Sequence, residues 1–231
     1  MVVVDITIAR HGQTMANAKG LLQGALIDCD LNDHGIQQAQ LLAKRLKDEP
    51  FDWIIASELV RAVHTAQIAA EYHEVVPLTK DKRLGEVSWG DFDGTSIKEC
   101  NPTRLKVINR WANGDFDAKL SNGESAGECR MRITEAFNDI LKEAAAKGYK
   151  SILVCLHGRI MRVILATLVE KDLTKMDLNH HTNCAYYKIQ VDVDTEVLAR
   201  DGVDGLAFRY ILKDVRDHLK PAASNDKSSK I

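Results

Sequence analysis

Residues Val2 to Gly12 read VVVDITIARHG, an apolar, β-branched run of strand length that ends in Arg10-His11-Gly12. A strand that carries reactive side chains to its carboxyl end, followed by glycine, is how open α/β sheets build their sites. An imidazole nitrogen at that position can attack phosphorus, and the adjacent guanidinium and backbone N–H groups can hold phosphoryl oxygens through forked, charge-assisted hydrogen bonds. The triplet alone has little specificity, because a histidine at a strand end is commonly structural. The rest of the chain has to decide.

Working outward, strands and helices alternate. Asp33 is placed to cap a helix from about His34 to Lys47, with Ile36, Ala39, Leu42, Ala43 and Leu46 on one face. Trp53 to Ala56 reads as a short buried strand, and Ser57 as the cap of a helix carrying Leu59, Ala62, Val63, Ala66, Ala69 and Ala70. A third strand is expected near Val75 to Leu78. The stretch Asp81 to Gly123 has weaker periodicity and reads as a cap over the site. Ser125 to Glu128 has capping-box spacing, and the following helix buries Ile133, Ala136, Phe137, Ile140, Leu141 and Ala144 before Gly148 stops it. Ser151 to Leu156 repeats the layout of the first strand and delivers His157-Gly158 to a helix that begins near Arg159. Two further strands, about Ala185 to Val191 and Phe208 to Leu212, extend the sheet, with one of them antiparallel at an edge. This order predicts an α/β fold: a three-layer α/β/α sandwich with a mostly parallel central sheet and a small cap region over the site. Residues 1–220 are expected to form a single catalytic domain and 221–231 a disordered tail.

Composition narrows the function. The 231 residues are 45 % hydrophobic and 28 % charged, and the longest apolar runs are of strand rather than membrane length. The amino terminus has neither a basic leader nor a small-residue cleavage site. Cys29, Cys100, Cys129, Cys155 and Cys184 are odd in number and lack any Cys-x-x-Cys pair, which argues against a disulfide framework or a zinc ribbon and favours reduced thiols in the cytoplasm. A net charge of −2 supplies no field for nucleic acid, so an anionic ligand needs a local cluster of positive groups. The expected partner is a small phosphorylated metabolite, with no nucleic acid and no membrane; the oligomeric state stays open, a homodimer being one option.

Parallel strands bring their carboxyl ends to one edge, so His11 and His157 are expected to share a crevice. Both precede a glycine, Gly12 and Gly158, where backbone can approach a ligand. Arg61 falls in the first turn of its helix, whose exposed N–H groups also favour an anion. Arg10, Arg61 and a protonated His157 could together hold a phosphate dianion with no metal and no other cofactor. Glu86, on a loop near the third strand, is the candidate general acid: partly desolvated beside a dianion, it is expected to keep its proton near neutral pH. Lys98, Arg104, Lys106 and Arg110 could meet a second anionic group, but a solvated face is the simpler account. Trp89 and Trp111 read as packing. Arg159 and Arg162 are assigned to different helix faces outside the site, and His180-His181 are read as structural.

Taken in order, Arg10-His11-Gly12 with Thr14 and Asn17, Gln23-Gly24, Leu31 with Gly35, Gln38-Ala39, Ser57-Glu58-Leu59 before Arg61-Ala62, Thr65-Ala66, Leu84 with Glu86, Gly123-Glu124-Ser125 and His157-Gly158 resemble the histidine phosphatase superfamily, in the branch that includes phosphoglycerate mutases. The likeness runs from about Ile6 to Asn183. It implies a phosphohistidine on His11, phosphate contacts from Arg10, Arg61 and His157, proton transfer by Glu86, and further pocket positions at Asn17, Gln23 and Gly24. Cys155-Leu156, where a serine commonly precedes the second His-Gly, and Asn122, where glycine is frequent, depart from the pattern without removing a catalytic group.

Attack on phosphorus needs His11 unprotonated, while a bound dianion favours the imidazolium; Arg10 and Arg61 offset that pull. Transfer to water makes the chain a phosphomonoester hydrolase, and transfer to a bound phosphorylated alcohol makes it a cofactor-dependent phosphoglycerate mutase. The resembled mutases carry a long insert between the acid and the Gly-Glu-Ser segment, whereas here Glu86 and Gly123 are close, which favours hydrolysis. Two rivals are a non-catalytic phospholigand-binding domain, opposed by the presence of His11, Glu86 and His157, and a metal hydrolase, opposed by two arginines that would repel a cation.

Overall fold

The computed structural model describes residues 1–73 and 75–220. In chain order the regular elements are β1 (Val2–Arg10), α1 (Met15–Ala18), α2 (Asp33–Leu46), β2 (Trp53–Ala56), α3 (Val60–Ala70), β3 (Leu78–Lys80), α4 (Ile97–Ala112), α5 (Ala126–Lys147), β4 (Ser151–Leu156), α6 (Gly158–Leu168), β5 (Tyr186–Val193), α7 (Thr195–Asp201) and β6 (Phe208–Val215). The strands form a six-stranded sheet in the order β3-β2-β4-β1-β5-β6. β3, β2, β4 and β1 are mutually parallel. β5 runs antiparallel to β1 and β6 antiparallel to β5, so one added strand opposes the parallel set as expected, but it is the inner one, β5, while β6 at the edge runs in the direction of β1.

Period-two alternation in the strands separates the layers. Val4, Ile6 and Ile8 of β1, Trp53 and Ile55 of β2, and Ile152, Val154 and Leu156 of β4 join one buried cluster with α5 and α6. Ala9, Ile54, Ala56, Leu153 and Cys155 face the other way, into a second cluster with α2 and α3. The two apolar faces account for the helix, sheet and helix layers.

Several boundaries differ from the sequence expectations. The cap of α2 is Asn32, whose side chain accepts the Gly35 N–H at 2.8 Å; Asp33 is the first helical residue. Leu59, not Ser57, precedes α3. β3 begins at Leu78 because Pro77 has no N–H for the ladder, although its carbonyl accepts from Ile54. The cap region contains a 16-residue helix, α4, with Pro102 inside it. α5 has the expected capping box at Ser125 and ends at Gly148 with φ 71°. α6 starts one residue early, with His157 at its cap position. The expected tail, 221–231, lies outside the described residues.

The register sets the site. Arg10 pairs with Leu156, and Ala56 with Cys155, so β1, β2 and β4 end level with one another. The next residues are His11, His157 and Ser57. Backbone bonds extend the ladders by one step: His11 N–H donates to Leu156 O at 2.9 Å and Ser57 N–H to Cys155 O at 3.0 Å.

Candidate active site

His11 is 3 % exposed, and its ring centroid lies 5.2 Å from that of His157. Nδ1 lies 2.7 Å from the Gly12 carbonyl, which can only accept, so Nδ1 carries the proton and Nε2 keeps its lone pair. Burial, then the charges of Arg61 and Arg10, hold the His11 pKa well below that of an ordinary imidazole. The neutral ring, with Nε2 unprotonated, is thus the resting form. Gly12 is required on packing grounds: a Cβ there would lie 2.4 Å from the Gly35 carbonyl oxygen. Its N–H donates to Thr65 Oγ1, which in turn donates to the Arg61 carbonyl.

Arg61 is fully buried in the first turn of α3. Its Nη1 and Nη2 donate to the carbonyls of Ile27 (2.8 Å) and Gly24 (3.1 Å), and Asp28 lies 3.8 Å away. Arg10 donates from Nη1 to the His181 carbonyl at 3.3 Å. Its guanidinium lies over Gly158, 3.3 Å from where a Cβ would stand, so glycine at that position makes room for the cation. Arg10 Nε, Arg61 Nε and His157 Nδ1 are buried without a hydrogen-bond partner. Unpaired buried donors are costly unless a ligand takes them up. Donors of this kind, on residues clustered with His11, are chemically suited to the oxygens of a tetrahedral anion.

His157 differs from the sequence expectation of a third cation. Burial, then Arg61, His11 and Arg10, keep its pKa well below the usual value, so it is neutral in this structure. Its Nε2 lies 2.7 Å from Ser57 Oγ, which also accepts the Leu59 N–H. This second engagement is why Ser57 does not cap α3.

Asn17, Gln23 and Gly24 form the wall that Arg61 grips. Asn17 Nδ2 donates to Gln23 Oε1, and Gln23 Nε2 reaches Ile27 O and Cys29 Sγ. A Cβ on Gly24 would collide with Asp93 Oδ1. Asn183, which the sequence reading used only to mark the end of the likeness, donates from Nδ2 to the His11 carbonyl and to Asn17 Oδ1. Thr65 and Ser57, which the sequence reading held only within the resembled motifs, with Ser57 also as a helix cap, are likewise joined to these residues by hydrogen bonds. His181, read from the sequence as structural, sits beside Arg10: its ring lies 2.9 Å from the Gly158 carbonyl, and burial, with Arg10 and Arg162 adding to it, lowers its pKa to about 3.

Glu86 is 8 % exposed and sits against the start of α6. Oε1 accepts from Ile160 N at 2.9 Å and from Val87 N at 3.0 Å, and Oε2 from Arg159 N at 3.0 Å. A cleft of about 310 Å³, lined by Ser57, Glu58, Lys82, Glu86, Ser88 and Glu124 among others, opens beside it. Among the described residues no three His, Cys, Asp or Glu side chains converge as a metal site would require.

The cationic positions of the cap divide. Lys98, Lys106 and Arg110 are exposed, a solvated face. Arg104 is partly buried, 5.4 Å from the Trp89 ring centroid. Arg159 and Arg162 share a helix face rather than opposing it, since residues three apart are neighbours on a helix, and both donate to Asp177 Oδ1 at 2.7 Å.

With the strand ends, the buried histidines and the guanidinium pair in place, the class is defined: residues 6–203 match the model of the histidine phosphatase superfamily (branch 1), and the chain belongs to that family. It is 32 % identical over 167 residues to the Yersinia pestis (strain Pestoides F) protein named probable phosphoglycerate mutase GpmB, covering 72 % of this chain and 75 % of that one. Two solved structures share the fold. The alpha-ribazole phosphatase from Shigella flexneri has a TM-score of 0.71 at 24 % identity, over 92 % of this chain and 96 % of that one. The mycobacterial glucosyl-3-phosphoglycerate phosphatase, solved with VO3, has a TM-score of 0.75 at 20 % identity, over 92 % of this chain and all (100 %) of that one. No described helix is long and apolar enough to cross a membrane.

Proposed function

We propose that the chain is a metal-independent phosphomonoester hydrolase acting on small phosphorylated metabolites through a phosphohistidine on His11. The observation that carries this reading is the neutral, Nδ1-anchored His11 beside three buried donors that lack partners. The Nε2 lone pair attacks phosphorus as the ester P–O bond breaks, and Glu86 gives its proton to the departing oxygen. Oε2 accepts one hydrogen bond and Oε1 two, so Oε2 is the oxygen with room to exchange a proton with the leaving group, and the cleft beside it receives the leaving alcohol. Water then passes a proton to the Glu86 carboxylate and attacks phosphorus; the P–N bond breaks, and phosphate leaves with the His11 lone pair restored. Arg10 and Arg61 hold the phosphoryl oxygens. The Ser57 hydroxyl donates to His157 Nε2, which leaves the ring proton on Nδ1 for a third oxygen. The reading extends to a cytoplasmic location, supported by five free cysteines.

The likeness to a protein named as a phosphoglycerate mutase supports a second reading, in which a bound phosphorylated alcohol replaces water. Phosphate release from a panel of phosphomonoesters and sugar bisphosphates, without added metal, compares the native chain with His11→Ala. The expected result is release that the substitution abolishes. Primed interconversion of 2- and 3-phosphoglycerate running well ahead of release would replace the hydrolase with the mutase; binding without either turnover would leave a phospholigand-binding domain.

A further inference from the structure

Arg132 lies on α5, and all five of its N–H bonds are spent within the protein. Nη1 donates to the carbonyls of Arg83 (2.6 Å) and Gly85 (2.9 Å), and Nη2 reaches that of Glu86 (3.4 Å). Nε and Nη2 donate in parallel to the two carboxylate oxygens of Glu124, at 2.6 and 2.8 Å. Both side chains are about four-fifths covered, at 21 % and 19 % exposure. Glu124 is itself anchored, its N–H donating to the Ser88 carbonyl at 2.8 Å. A forked ion pair therefore closes a ring around the turn from Arg83 to Ser88, the turn that carries Glu86.

The Glu86 carboxyl is fixed separately, by the N–H groups of Arg159 and Ile160. α6 sets where the oxygens point, and Arg132 sets where the backbone of Glu86 sits. We propose that Arg132, braced by Glu124, is the positioning residue for proton transfer at Glu86. It fixes the distance from that carboxyl to the leaving oxygen; although Arg132 and Glu124 both line the cleft beside Glu86, the N–H bonds of the guanidinium are all taken within the protein, so it acts through the backbone of Glu86. The proposal rests on Glu86 as the proton donor and can fail independently of it.

The test compares kcat and KM for p-nitrophenyl phosphate, whose leaving group departs without a proton, with those for glycerol 2-phosphate, whose alkoxide needs one. Glu86→Gln should lower kcat/KM, which reports only the steps up to the phosphohistidine, for the alkyl ester by ~100-fold or more while affecting the aryl ester far less; the later attack by water is common to both esters and is read in kcat. Arg132→Met should show the same selectivity, with kcat/KM for the alkyl ester down by ~100-fold and that for the aryl ester little changed. In a Glu86→Gln background the Arg132 substitution should add almost nothing for the alkyl ester. Arg132→Lys, which keeps the charge but not the fork, should fall between, and it carries the test if the methionine variant does not fold. Equal losses on both esters, or independent losses that multiply in the double variant, would make Arg132 merely structural. If Glu86→Gln itself shows no selectivity between the esters, the proton-donor assignment falls, and this proposal with it.

Discussion

His11, His157 and His181 are buried imidazoles next to Arg10, and each has a pKa below that of an exposed histidine. As pH falls, the unfolded chain takes up these protons before the folded one, so protonation pulls toward unfolding. Stability from these groups is complete above the ordinary value of 6.5 and is lost on the way down, for His181 across the interval from 6.5 to about 3. Each histidine contributes at most about 1.4 kcal/mol per pH unit inside its interval. The thermal midpoint is therefore expected to drop between pH 7 and pH 5. His181→Gln, whose amide can still donate to the Gly158 carbonyl, should flatten that slope measurably; an unchanged slope would mean that His181 already titrates as an exposed group does. At this scale the sequence was a good guide to which residues come together and a poor one to their hydrogen-bond partners. His11, Arg10, Arg61, His157 and Glu86 converge as the level strand ends require. That Ser57 serves the second histidine rather than α3, and that His157 is neutral, depends on burial and on neighbours distant in sequence. No local pattern carries that information.

Among the elements, α4 shows where pattern reading runs out. Its buried positions, Cys100, Val107, Ile108 and Trp111, are helical in spacing, but Pro102 and a polar stretch lie between the first and the rest. The structure resolves the ambiguity through packing. Trp111 is fully buried, stacks on Trp89 with ring centroids 5.5 Å apart, and donates from Nε1 to the Ala118 carbonyl at 2.7 Å. Both indoles belong to the same buried cluster as α5 and α6, so the cap is an extension of the main core. Trp111→Ala is expected to cost about 3–5 kcal/mol. That should lower the thermal midpoint by on the order of 10 °C in scanning calorimetry. A loss confined to a degree or two would show that α4 stands apart from the core. The capping box at Ser125 and the left-handed stop at Gly148, by contrast, were fully legible, because both are made by residues within one turn of each other.

For the whole molecule, the alternating faces of β1, β2 and β4 tie both helical layers to one sheet. A single cooperative unfolding transition is expected for residues 1–220, with calorimetric and van't Hoff enthalpies in agreement; two resolved transitions would divide the chain into domains. The strand order was predicted in class but not in detail. Parallel pairing follows from the strand and helix alternation, whereas the antiparallel pairing of β5 with both β1 and β6 depends on connections that carry no turn signature.

The position of β4 between β1 and β2 matters during synthesis as well as in catalysis. A ribosome that has reached the end of α5 has released β1 and β2 but not the strand that joins them, so each presents an open, apolar edge. The first half of the chain cannot close on itself; it must wait for Ser151 to Leu156, with the risk of pairing wrongly meanwhile. The same insertion that brings the second histidine to the first delays completion of the site until β4 has been made and paired.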